Sequence, residues 1–259
     1  MINYLLMHRF RICFAALLML FFTTSIQAQV KKPVAKKPTA TKKTTTVKKT
    51  VKPVAKTVKQ AKAPGVRIKI TTDSGVMVLR LYDKTPKHRD NFIKLADDSF
   101  FDSLLFHRVM SGFMIQGGDP SSKHAQPGTM LGMGDIGYTI PAEFDTSLFH
   151  KKGALAAARQ PDHVNSTKAS SGCQFYIVQG KTWTDAEMNV IEMQRGIKFS
   201  TAKRNIYKTI GGYPFLDMDY TVFGEVESGF EVIDKIATVN RDGYNRPLGD
   251  IHMYVEVIK

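Results

Sequence analysis

The sequence predicts a mainly β protein, a closed barrel or sandwich with an inserted helical hairpin, and three features carry that prediction. Short apolar runs punctuated by Gly and Asp recur from Val66 to the C-terminus, as expected of many short strands. Few amphipathic stretches of helix length accompany them. Between Lys181 and Tyr213 lies a polar, helix-favouring segment much longer than a normal strand connection, which reads as an insertion.

The first 28 residues have the pattern of a secretory signal: Arg9 and Arg11, an apolar stretch from Ile12 to Phe22, then Ile26-Gln27-Ala28 as cleavage positions. That stretch is too short to span a bilayer, so export to the periplasm or the medium is expected rather than anchoring. Residues 29–65 cycle through Lys, Pro, Thr, Ala and Val without an aromatic or an acid, and are expected to form a disordered tether. Of the 37 basic residues, 14 lie before Val66; the other 23 balance the 23 acidic ones, so the net charge of +14 describes the tether and not the folded part. A run of 12 lysines offers at most weak contact with polyanions or the cell envelope. Past the signal, Cys173 is the only cysteine, which excludes an intramolecular disulfide. It is expected to be a buried small residue beside a strand.

The domain is expected over 66–259. Val66 to Ile70 alternates with period 2, Asp73-Ser74-Gly75 supplies a turn, and Val76 to Tyr82 resumes as a strand, which makes a hairpin. Pro86 then opens a helix with Phe92, Leu95 and Ala96 on one face. Strands are expected around Phe106–Val109, Phe113–Ile115, Ala154–Ala158, Gln174–Val178 and Thr221–Val226, then a helix at about Phe230 to Ala237 and a closing strand, Ile251 to Ile258. Within the insertion, 181–213, Thr184-Asp185-Ala186-Glu187 has the form of a capping box. Met188 and Ile191 mark the apolar face, with Glu192 or Arg195 beginning the polar one, and Ser200 can cap a second helix through Tyr207 and Ile210.

Phosphate loops, paired metal-ligand spacings and nucleophile elbows are missing from the sequence. The histidines are scattered, a pattern of surface or hydrogen-bonded residues rather than ligands. A reaction that needs neither nucleophile nor metal fits better. The stretch Phe106-His107-Arg108-Val109-Met110-Ser111-Gly112-Phe113-Met114-Ile115-Gln116-Gly117-Gly118-Asp119 resembles the signature of the cyclophilin-type peptidyl-prolyl cis-trans isomerases almost position by position. Further matches follow in order: Gly153 to Arg159, Ser171 to Ile177, Phe215-Leu216-Asp217 and Val222 to Val226.

That resemblance implies an eight-stranded antiparallel barrel closed by two helices, with a groove that binds proline-containing peptides and no cofactor. By motif position, Arg108 is the expected catalytic arginine and Gln116 its orienting partner, while Phe113, Met114, Tyr176 and Leu216 wall the proline pocket. Ala158, Arg159 and Gln174 are expected to line the adjoining groove, with Phe215 and Tyr220 at its rim. The best-known form of the family carries Asn, Trp and His where this chain has Arg159, Phe215 and Tyr220. Expected partners are proline-containing polypeptides and unfolded exported proteins, served by a monomer. The alternative is a peptide-binding chaperone or scaffold in which turnover is incidental and the insertion supplies an extra contact surface.

Overall fold

The computed structural model describes residues 65–258; the expected signal segment and all of the tether but Gly65 lie outside the described residues. Alternation builds the first hairpin. In β1 (Arg67–Thr72) Ile68 and Ile70 are fully buried, and in β2 (Gly75–Leu81) Met77, Leu79 and Leu81 are, with Arg67, Lys69 and Arg80 on the other face. Thr72 pairs with Gly75 across the turn, and its hydroxyl accepts from the Ser74 amide at 3.1 Å. Gly75 takes φ +137°, a conformation that suits glycine.

Helix α1 (Pro86–Asp97) starts at a proline, whose missing N–H costs nothing there. Its exposed amides are met by a carboxylate from a distant loop: Glu143 accepts from the amides of Lys87 and His88 at 3.1 and 3.0 Å. The helix buries Phe92, Leu95 and Ala96, the face expected from their spacing, together with His88.

The strands β3 (Leu104–Leu105), β4 (Arg108–Met110) and β5 (Met114–Gly117) follow, then β6 (Thr139–Ile140), β7 (Ala154–Ala157), β8 (Ser170–Ser171) and β9 (Phe175–Val178). The insertion contributes α2 (Asp185–Arg195) and α3 (Thr201–Thr209); β10 (Val222–Ser228), α4 (Phe230–Ala237) and β11 (His252–Ile258) complete the order. The main sheet runs β3-β11-β1-β2-β10-β7-β9-β5-β4, every pairing antiparallel, and β6 pairs with β8 apart from it.

The fold is mainly β, a curled half-barrel of nine strands with a few helices, and its ladder stops short of the closed eight-stranded ring expected. The break falls at Phe106–His107. These two residues separate β3, which pairs with β11, from β4, which pairs with β5, so of the run expected as one strand, Phe106–Val109, only Arg108 and Val109 join the ladder. Phe106 is wholly buried and its amide is held by the Ile251 carbonyl at 2.9 Å, outside the ladder.

Inside the curl, β1, β2, β10 and β11 share one core with Phe92 of α1 and with Val232, Ile233 and Ile236 of α4. Phe92, Phe101, Phe106 and Phe175 meet there in stacked and edge-on pairs with ring centres 4.7–6.2 Å apart. Strands β5, β7 and β9 are buried on both faces. Ile115, Leu155 and Ile177 enter the main core, while Met114, Ala154, Ala156, Tyr176 and Val178 form a second cluster on the opposite face.

The helical hairpin forms as expected over α2 and α3. Thr184 and Glu187 make the reciprocal capping box, Ser200 caps α3, and Gly196 ends α2 in the left-handed conformation. Its small core joins Trp183, Met188, Ile191, Phe199 and Tyr207. Glu192, expected where the polar face begins, is instead buried, because its carboxylate turns inward to accept from the Phe199 amide at 2.7 Å.

Candidate functional site

Register places the signature residues in one row. Arg108 of β4 lies opposite Gln116 of β5, Gln116 opposite Tyr176 of β9, Tyr176 opposite Ala156 of β7, and Ala156 opposite Val222 of β10. Antiparallel partners share a face, so this row forms a floor carrying one cation at its end. The Arg108 guanidinium donates from Nη1 to Gln116 Oε1 at 3.0 Å and from Nη2 to Met110 Sδ at 3.2 Å. Gln116 Nε2 in turn donates to Gln174 Oε1 at 3.1 Å, and Gln174 Nε2 donates to the carbonyls of Gly132 and Gly134 at 3.1 and 2.7 Å. Each amide uses oxygen and nitrogen at once, which fixes its orientation and that of the guanidinium.

Over the row opens a hollow of about 290 Å³ walled by Phe113, Met114, Tyr176, Leu216 and Tyr220, with Arg108, Gln116, Ala158 and Arg159 on its lining. The Arg108 guanidinium carbon sits 5.9 Å from the centre of the Phe113 ring. Burial pushes the Arg108 pKa down from its ordinary value, with Tyr220 opposing; an arginine remains a cation at neutral pH even so. The result is a fixed positive group at the edge of an apolar cup.

Nine of the eleven residues expected at the site line this hollow. Gln174 stands one hydrogen bond behind it, supporting Gln116. Phe215 is not on its lining: the ring packs against Trp183 and Tyr213, with centres 5.7 and 5.8 Å away, as part of the insertion's core. The aromatic neighbours supplied by the insertion draw it there. Arg159, expected in the groove, has a buried side chain of its own. Its guanidinium donates to the Asp219 carbonyl at 2.7 Å and lies 4.5 Å over the Tyr220 ring, bracing the rim.

The lining also includes His107, Leu131, Gly132 and Met133, which sequence reasoning missed. His107 lies inside the quoted signature beside Arg108 and was legible there as a neighbour. The loop residues carry no periodic signal. Asp119 holds that loop by accepting from the amides of Ser121 and Gly132. Burial is the chief cause that pushes the His107 imidazole down to about 4, against the pull of the Asp119 charge.

Behind the pocket, Tyr176 is buried and its hydroxyl meets His150 Nε2 at 2.9 Å, turned into the protein rather than left as a polar group of the wall. Among the described residues no group of three or more His, Cys, Asp or Glu is placed to hold a metal ion. Cys173 is buried, as expected, and burial pushes its thiol up to about 11, so it is a poor nucleophile at neutral pH.

The fold and site are those of a curled antiparallel sheet with an apolar hollow edged by the guanidinium groups of Arg108 and Arg159, and comparison with known proteins gives the family. The model of the family described as "Cyclophilin type peptidyl-prolyl cis-trans isomerase/CLD" matches residues 67–257. The chain therefore belongs to the cyclophilin-type peptidyl-prolyl cis-trans isomerases and is an isomerase. A Staphylococcus haemolyticus protein named "Putative peptidyl-prolyl cis-trans isomerase" is 32% identical over 197 residues, covering 74% of this chain and 91% of that protein. A Streptococcus pyogenes protein named "Putative bifunctional phosphatase/peptidyl-prolyl cis-trans isomerase" is 36% identical over 191 residues. That match covers 72% of this chain but spans only 37% of that protein's length. Among solved structures, a Cryptosporidium parvum cyclophilin-type isomerase superposes with a TM-score of 0.57 at 21% identity, covering 76% of this chain and 99% of that one. The same protein in the presence of the dipeptide Ala-Pro gives 0.54 at 21% identity, covering 74% and 99%. At that identity the likeness is one of fold.

Proposed function

We propose that the hollow over Arg108 binds the proline of a Xaa-Pro bond and that Arg108 stabilises the twisted amide. Rotation about a peptide bond breaks its resonance against a barrier of about 18–20 kcal/mol, and Xaa-Pro bonds exchange only over tens of seconds or longer. In the twisted state the prolyl nitrogen becomes pyramidal and regains a lone pair. A guanidinium can donate to that lone pair without transferring a proton. The observation that carries this reading is the Arg108–Gln116 bond beside the apolar walls: two of the five guanidinium N–H groups are engaged by Gln116 and Met110, and the rest have no protein acceptor among the hydrogen bonds of the described residues. Phe113, Met114 and Leu216 hold the ring while the preceding carbonyl swings, so binding is used for orientation.

The substrates on this reading are proline-containing segments of exported, unfolded proteins, met by a monomer outside the cytoplasm. The export pattern of residues 1–28 supports that setting, with the Lys-rich stretch as a spacer or weak polyanion contact. We also read β3 and β4 as two halves of one bent strand, which makes the barrel eight-stranded and closed through Phe106–His107.

Turnover of a Xaa-Pro peptide, followed by exchange NMR or a protease-coupled assay, tests the mechanism. Arg108→Ala is expected to lower kcat/KM by about 100-fold or more, and Arg108→Lys to recover little of it, since an ammonium lacks the planar fork that Gln116 orients. Full activity in Arg108→Ala refutes the mechanism.

A further inference from the structure

The groove accounts for Arg108 and its walls but leaves a buried chain of polar groups behind Tyr176 unexplained. Tyr207 of α3 donates its hydroxyl to both oxygens of Asp217 at 2.9 Å. Asp217 Oδ1 receives the His150 amide at 2.9 Å and its Nδ1 at 3.0 Å, and His150 Nε2 meets the Tyr176 hydroxyl at 2.9 Å. All four residues are buried, none more than 4% exposed. Lys203, also on α3, sets its ammonium 3.5 Å from Asp217 Oδ2.

Chemistry fixes the sense of this chain. Burial raises the Asp217 pKa, but the bonds and charge from His150 and Lys203 outweigh it and hold the carboxyl below its ordinary range, so it is an acceptor only. Both Tyr207 and His150 Nδ1 must therefore donate to it. His150 Nε2, on the other side of the ring, is left to the Tyr176 hydroxyl.

The other helix of the insertion grips the same segment. Arg195 of α2 donates to the carbonyls of Phe215 and Asp217 at 2.8 Å each and pairs with Asp219. Leu216 and Tyr220, which line the hollow, stand on that segment. Tyr220 also stacks edge-on against Tyr176, 6.0 Å between centres.

We propose that the insertion is a working part of the proline pocket: Tyr207, acting through Asp217 and His150, draws the Tyr176 hydroxyl into the protein so that the wall offers substrate only a ring face. Tyr207, Asp217 and His150 are positioning residues, because none of them lines the hollow. An unpartnered hydroxyl at the wall would tilt the ring or bring water against the proline. This proposal rests on the hollow being the isomerase site.

The test is a double-mutant cycle in the full chain, with kcat/KM on a Xaa-Pro peptide for wild type, Tyr207→Phe, Tyr176→Phe and the pair. Tyr207→Phe keeps the ring that fills the helical core. It is expected to lower kcat/KM about 5-fold when Tyr176 is present and less than about 2-fold in the Tyr176→Phe background. Equal losses in both backgrounds mean general loosening and overturn the proposal, as does no loss at all. A second readout uses 3-fluorotyrosine labelling, with the Tyr176 resonance assigned by its disappearance in Tyr176→Phe. That resonance is expected to move in Tyr207→Phe and in Lys203→Met, which withdraws the half-buried ammonium without opening the core. A resonance unmoved by both variants overturns the proposal. A wild type unable to turn over Xaa-Pro peptides would refute the isomerase site instead, and the resonance would still decide the coupling.

Discussion

Acid should loosen this protein in a way that one residue, His107, controls. Its side chain sits in the pocket wall, 3% exposed, and burial pushes its pKa from the ordinary 6.5 down to about 4. The charge of Asp119 pulls the other way, while Arg108 and Arg246 reinforce the depression. As pH falls below about 6.5 the unfolded chain takes up a proton that the folded ring refuses until about 4. The unfolded state binds more protons across that window, so stability falls as pH falls through it and changes little, on this residue's account, above it.

The size follows from the two values. Between pH 7.5 and pH 5, one histidine moving from 6.5 unfolded to 4 folded removes about 2 kcal/mol. His107→Phe keeps an aromatic ring, a somewhat larger one, and cannot titrate. Urea midpoints for both proteins, taken at pH 7.5 and pH 5, isolate the effect, since His88, also depressed chiefly by burial against the bond to Glu143, tilts both curves alike. The variant should lose about 2 kcal/mol less than wild type on acidification. Parallel losses in the two proteins would sink the reasoning, because they would mean that His107 accepts its proton in place.

Two further outcomes follow from named bonds. Gln174→Leu leaves the Gly132 and Gly134 carbonyls and the Gln116 amide unpaired, frees Arg108 from its fixed orientation, and should lower kcat/KM on the order of 10-fold; an unchanged value would mean that Gln116 holds the arginine unaided. Thr184→Ala removes the oxygen that accepts from the Glu187 amide at 3.2 Å and should lower Tm by roughly 2–4 °C in a thermal melt, with the pocket's turnover measured in parallel.

What the sequence made legible was whatever depends on neighbours along the chain. Ile68 and Ile70 against Lys69, the Thr184–Glu187 box and the amphipathic α4 each declare themselves within a few residues, and each formed where expected. The two-residue strands β3, β6 and β8 are too short for any period to register. The break at Phe106–His107 was hidden because these residues continue the apolar stretch from Leu104 and Leu105, and such a stretch reads the same whether or not the ladder runs through it. At the site, Arg108, Gln116 and the walls came through the motif, but the burial of His150 and Asp217 could not. A histidine and an aspartate 67 residues apart are polar letters until the fold brings them to 3.0 Å. The same limit hid the packing of Phe215, since only the folded insertion supplies Trp183 as its neighbour.

The junction of the insertion bears on whether it is an appendage. Lys181 and Gly212 exchange backbone hydrogen bonds at 3.1 and 2.9 Å, and the Trp183 indole donates to the Gly212 carbonyl at 2.9 Å, so the segment leaves and returns through one narrow stem. Gly180, at φ +65°, makes that approach possible: a Cβ there would lie 2.3 Å from the Gly212 carbonyl oxygen. A stem that closes on itself lets the strands β9 and β10 keep their register whatever lies beyond it, so the sheet alone would tolerate a chain of any length at this point. The helices nevertheless reach back across the stem, Arg195 to the backbone at 215–217 and Tyr207 to Asp217. Contacts that bypass the stem are unnecessary for a docking module carried on the surface. They are what a brace requires, and the segment they hold is the one that bears Leu216 and Tyr220 of the pocket.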